Sequence, residues 1–198
     1  MLFVTVLVLT IIVSKFVFWR RLKDDFEPEA IFKVSFLSIG LALVLGFVTY
    51  KYYPEWWFWA GVLGVMIGSV VGVVRYKMYP IELAETTFIS AMPIVFTIYT
   101  FLYTVTGNWD VIVMSGIALF CTILFVFFDR YYKRFSWYRS GRVGFAGLAS
   151  AGVFFLARGI VAYLNPDMLS FVPGVDVFIS SLFAVVPFAA LFILARKS

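Results

Sequence analysis

Seven stretches of this chain, 2–19, 31–50, 56–74, 81–105, 110–128, 143–164 and 175–195, are each apolar for about the length a helix needs to cross a bilayer. Spanning the hydrocarbon takes about 20 residues, and in lipid every backbone N–H and C=O must find its partner inside the protein. The longest connection between the segments is about fourteen residues, too short for a soluble domain. The expected fold class is therefore all-α: a polytopic membrane helical bundle with seven transmembrane helices, forming one integral membrane domain over residues 1–198. Composition agrees, with 63% hydrophobic and 14% charged residues and a mean hydropathy of +1.00, where a soluble domain carries about 25% charged residues. The first segment lacks a basic lead-in and a small-residue cleavage site and exceeds a signal-peptide core, so it is expected to stay in the chain.

The distribution of Lys and Arg gives an orientation, because cytoplasmic loops of membrane proteins carry the excess. Arg20, Arg21 and Lys23 follow the first segment, Arg75 and Lys77 the third, and Arg130, Lys133, Arg134, Arg139 and Arg142 the fifth, with Arg196 and Lys197 in the tail. The other side has Lys51 alone. The N-terminus is thus expected outside and the C-terminus in the cytoplasm. Aromatic residues mark both interfaces: Tyr50, Tyr52, Tyr53, Trp56, Trp57, Trp59 and Trp109 outside, Trp19, Tyr131, Tyr132 and Trp137 inside. The basic and aromatic stretch DRYYKRFSWYRSGR reads as a juxtamembrane belt attracted to anionic head groups, each cation contributing about 1 kcal/mol, and not as a nucleic-acid surface.

The chemistry on offer is narrow. The chain has no histidine and a single cysteine, Cys121, in the middle of the fifth segment. This removes the commonest general base and metal ligand and leaves no disulfide framework or thiol–base pair, so no metal and no cofactor are expected. Gly61, Gly64, Gly68 and Gly72 lie on one face of the third helix, at spacings that let helices approach closely in lipid. Gly144, Gly147, Ser150, Ala151 and Gly152 give the sixth helix a similar small face. Glu82 and Glu85 open the fourth segment, where carboxylates favour a helix N-terminus. Pro93 and Pro187 mark expected kinks.

Arg158, in VFFLARGIVAYL, is the clear intramembrane charge. It falls about 9 Å below the outer end of the sixth helix at 1.5 Å per residue. Two readings stand: a side chain that snorkels to the interface, or a guanidinium turned into the bundle to hold a lipid phosphate. No carboxylate in the outer half of another segment presents itself as a partner, which favours an external anion.

The order of these features resembles the prolipoprotein diacylglyceryl transferase family. Members read like R-x-G-L-D-P-E-D-V-L-D in the first cytoplasmic loop, where this chain has RRLKDDFEPEAIF; their third helix begins H-G-G-L-L-G, where it has Trp59-Ala60-Gly61-Val62-Leu63-Gly64. Their sixth helix follows R-P-G and contains Y-G-x-x-R-F-x-x-E, and Arg158 stands at that arginine. The resemblance implies seven helices, N-terminus outside, in the plasma membrane of a bacterium. It also implies transfer of a diacylglyceryl group from a phosphatidylglycerol-like phospholipid to the cysteine of a lipoprotein precursor.

The departures fall on the chemistry. Trp59 stands at the family histidine, and Ala162 at the glutamate following the sixth-helix arginine. The hallmark G-R-x-G-N-F-x-N-x-E is reduced to Gly107-Asn108, and GRVG at 141–144 mimics part of it in the wrong loop. The arginine expected near the end of the second helix is missing, with Lys51 a displaced cation. Arg158, Lys51, Asn108 and Tyr103 are the expected lipid or anion contacts, Tyr99 is a further hydrogen-bond donor, and the catalytic residues are unassigned. The leading expectation is a phospholipid-binding relative with little or no transferase activity. An active transferase with altered site residues is the enzyme alternative, and an assembly or scaffold protein using the Gly61–Gly72 stripe is the structural one.

Overall fold

The computed structural model describes residues 2–131, 144–168 and 170–196. Most of the expected belt between the fifth and sixth helices, with Tyr132, Lys133, Arg134, Trp137, Arg139 and Arg142, lies outside the described residues, as do most of the GRVG stretch and Lys197. Among the described residues all regular structure is helical: α1 (Leu2–Leu22), α2 (Pro28–Tyr52), α3 (Trp57–Tyr76), α4 (Pro80–Thr106), α5 (Trp109–Tyr131), α6 (Phe145–Leu164) and α7 (Asp176–Arg196). All seven are long and apolar enough to cross a membrane. Several run a turn beyond the expected bounds; α1 includes Arg20 and Arg21, and α2 begins at Pro28. A helix does not stop where hydrocarbon stops, because its hydrogen bonds continue until a cap or a proline ends them.

The ends show those stops. Pro80 opens α4, where its missing N–H costs nothing. Gly107 closes α4 at φ 66° and donates its N–H to Tyr103 O at 2.8 Å, a left-handed cap that glycine adopts without steric cost. Pro93 and Pro187 lie inside continuous helices.

Consecutive helices run antiparallel, as the α2–α3 register shows. Gly61 faces Ala42, Gly68 faces Ser38 and Gly72 faces Val34. The glycine stripe is therefore filled by α2 of the same chain and is not a free face. A Cβ on Gly64 would lie 2.5 Å from Ala42 N, so this approach requires glycine. Helix α6 is the enclosed one, with 67% of its spanning window buried against at most 39% elsewhere. It packs on α4, α5 and α7, while α3 rests mainly on α2 and only lightly on α4. This unequal packing leaves a groove between the α2–α3 hairpin and the rest of the bundle.

Candidate functional site

Two polar clusters and the groove make up the interior. For description, the basic end of the bundle carries Arg21 and Arg75, and the far end carries the α2–α3 and α6–α7 connections. Near the far end Arg158 is completely buried. The snorkelling reading is thereby corrected: the guanidinium points into the bundle. So is the expectation that it lacks a carboxylate, since Arg158 Nη2 meets Asp176 Oδ1 at 2.9 Å. Asp176 reaches this level because the segment between α6 and α7 folds back into the bundle, burying Met168, Phe171 and Val172.

The network around the pair is closed. Arg158 Nη1 donates to Tyr99 Oη at 2.9 Å and Nη2 to Ser170 O at 2.7 Å, while Tyr99 and Ser170 share a hydroxyl hydrogen bond at 2.9 Å. Asp176 Oδ1 also accepts from Trp59 Nε1 at 3.1 Å and Ser180 Oγ at 3.5 Å, and Oδ2 accepts from Val172 N at 2.6 Å. The guanidinium lies 3.8 Å from the Phe58 ring centroid and 4.5 Å from that of Phe171, within the range of cation–π attraction. Of its nitrogens only Nε lacks a partner. A buried charge is tolerated when paired and hydrogen-bonded, and both terminal nitrogens of this one are.

The other expected anion contacts do not join Arg158. Lys51 is exposed, its Nζ 5.8 Å from the Tyr52 ring centroid. Tyr103 packs on Trp109 at 5.4 Å, and Asn108 is exposed in the turn between α4 and α5, where its N–H meets Thr106 Oγ1 at 3.3 Å. Tyr99, one helical turn before Tyr103, is the tyrosine that reaches the arginine. The residue that sequence reasoning missed is Asp176, whose visible signal was a lone carboxylate at the head of the last apolar segment.

At the basic end a second cluster crosses the bundle. Arg21 of α1 donates to Glu85 Oε1 of α4 at 2.6 Å and to Asp129 Oδ1 of α5 at 2.8 Å. Glu85 is 1% exposed and abuts the backbone of Gly147 on α6. It is thus an interhelical ion-pair partner, which corrects its reading as a charge serving its own helix start. It also removes Arg158 from its place as the one intramembrane charge.

The groove has a volume of about 860 Å³. It runs from Phe47 and Tyr50 near the far end to Val74 and Pro80 near the basic end, and its walls are apolar apart from a few groups such as Ser69, Thr87 and Glu85. Its α3 wall, Trp57 to Val74, covers about 26 Å at 1.5 Å per residue, close to the roughly 30 Å of a bilayer's hydrocarbon. No group of three or more potential metal-ligating residues occurs among the described residues.

These features define a multi-pass helical membrane protein with an internal apolar groove. No family model, no curated protein and no solved structure matches the chain.

Proposed function

We propose that the protein is an integral membrane phospholipid-binding bundle of a bacterial plasma membrane. In this reading it resembles prolipoprotein diacylglyceryl transferases in helix order and lacks their transfer chemistry. The groove is the observation that carries the proposal. Its volume lies within the range of about 300–1,000 Å³ of small-molecule sites, and its apolar walls and length complement extended acyl chains. Lipid tails gain nothing from hydrophobicity on leaving a bilayer for such a groove. They gain packing contacts that a void would forfeit.

The absence of transfer chemistry is supported by what surrounds Arg158. A transferase must activate a thiol and stabilise a departing glycerol phosphate, which requires a base and fixed free donors. Here the guanidinium is committed to Asp176, Tyr99 and Ser170, and Trp59, at the family histidine, serves as a donor to the same carboxylate. The scaffold alternative loses its contact face, because Gly64 and Gly68 are packed on α2. We further propose that the basic end is cytoplasmic and the N-terminus outside, on the Lys and Arg asymmetry.

Photoactivatable phosphatidylglycerol, with the reactive group mid-chain, tests the reading in vesicles. Crosslinks are expected at groove residues such as Val65 and Val95, above the level at outward-facing Phe120 and Ile123 of α5. Equal labelling of both sets overturns the groove reading. Incubation with a lipobox peptide is expected to give no thiol lipidation; lipidation that Arg158→Ala abolishes would restore the transferase reading.

A further inference from the structure

One cation of the spanning helices takes part in neither polar cluster. Lys15 lies in α1 about 10 Å before that helix ends at Leu22, at 1.5 Å per residue. It is half-buried, its Nζ lies 4.5 Å from the Phe36 ring centroid, and among the described residues no carboxylate pairs with it. Phe36 is itself about 12 Å into α2, so the ammonium sits level with that ring and not out at the basic end. The reason is directional. Helical side chains leave the backbone toward the helix N-terminus, and the N-terminus of α1 is at the far end. Lys15 therefore starts out away from the nearest water, and snorkelling, which would relieve an unpaired ammonium at this depth, has to work against its own helix.

The surroundings fit one kind of counter-ion. Lys15, Trp19 and Lys23 follow one another at a spacing of four, which stacks them on one face, and Lys23 Nζ lies 5.6 Å from the Trp19 ring centroid. The α1–α2 seam closes on Phe18, Leu22, Ile31 and Val34, while Phe16, Phe32 and Phe36 stay exposed. Asp24, Asp25 and Glu27, in and after the turn that follows α1, are exposed and pair with neither lysine. We propose that this strip is a lipid site separate from the groove, none of whose walls it shares, for a phospholipid with an anionic head group. The phosphate is drawn to Lys15, which gains the charge-assisted partner that the protein does not supply, Lys23 adds to the attracting field, and a tail continues past Phe36. A zwitterionic head would bring its own ammonium up against two lysines.

The test is native mass spectrometry of the delipidated full-length protein, exchanged with equimolar phosphatidylglycerol, phosphatidylethanolamine and phosphatidylcholine of identical tails. Phosphatidylglycerol is expected to be retained about tenfold over either zwitterion, as for one charge-assisted hydrogen bond. Lys15→Met is expected to cut that preference to about twofold or less, and Lys15→Gln to do the same should the methionine variant fold poorly. Lys15→Arg, which also pairs with phosphate, is expected to keep it. Arg130→Met removes an equal charge from an exposed position on α5 at the same end and is expected to leave the preference intact. Equal loss in Lys15→Met and Arg130→Met would reduce the effect to net charge and overturn the site. Equal retention of the three lipids by the unaltered protein, or a preference that Lys15→Met and Lys15→Gln leave unchanged, would overturn it too. None of these variants touches a groove wall, so each of these outcomes leaves the groove reading to its own crosslinking test.

Discussion

Trp59 and Asp176, 117 residues apart in sequence, are joined by a 3.1 Å hydrogen bond on the same carboxylate oxygen that meets Arg158 at 2.9 Å. This oxygen ties α3 to α7 and both to α6. It is a polar link between the far end of the α2–α3 hairpin and the rest of the bundle, with Trp59 also packed on Phe155 and Phe183 at 6.1 and 5.3 Å.

Removing the carboxylate leaves a buried guanidinium without its counter-charge. Asp176→Asn is expected to lower stability by about 3 kcal/mol or more, measured by reversible SDS unfolding in mixed micelles. Arg158→Met combined with Asp176→Asn should lose less than the sum of the single variants, with a coupling of at least about 1 kcal/mol. Additive losses would show that the pair does not act as one unit.

Trp59→Phe removes only the donor N–H and keeps a ring at the stack. Asp176 retains Arg158, Val172 and Ser180, so the expected loss is about 1 kcal/mol. A loss as large as that of Asp176→Asn would mean that ring packing, not the hydrogen bond, holds α3 in place.

The glycine stripe gives a graded series. A Cβ on Gly64 or Gly68 would fall 2.5 Å from backbone atoms of α2, whereas one on Gly61 would sit 3.6 Å from Ala42 O. Alanine at 64 or 68 is expected to cost about 1–3 kcal/mol through overpacking, and alanine at 61 to stay within about 0.5 kcal/mol. Unfolding midpoints of the three variants check this, and equal effects would overturn the α2–α3 register.

Orientation is checked by single cysteines in a Cys121→Ala background. Cys121 is buried, so the background should fold. Lys51→Cys is expected to react with a membrane-impermeant maleimide from outside intact cells, and Lys77→Cys only after lysis. The reverse pattern would invert the topology.

The helices were legible because apolar length is a local property. Their bounds shifted by up to a turn where charged, helix-compatible residues such as Arg21 and Arg130 prolong α1 and α5. The glycine face of α3 was legible from spacing, though not its occupant. The site was less legible. Arg158 stood out as an oddity, but Lys51 and Asn108, placed through family position, and Tyr103, chosen as a hydrogen-bond donor, do not meet it. Tyr99, 59 residues away, and Asp176, beyond the inward-folded segment, do. Glu85 looked like a helix-start charge because its partner Arg21 lies 64 residues earlier.

By itself the sequence determined the membrane class, the seven helices and the narrow chemistry of a chain without histidine, since each follows from composition along single segments. Only the tertiary structure decided what the buried charges are for. Antiparallel packing sets distant residues at the same depth, and at that depth an unpaired charge is too costly to persist. Arg158 therefore takes Asp176 and Arg21 takes Glu85. The groove appears where α3 packs too lightly to fill the bundle, a property of helix placement that no single segment carries.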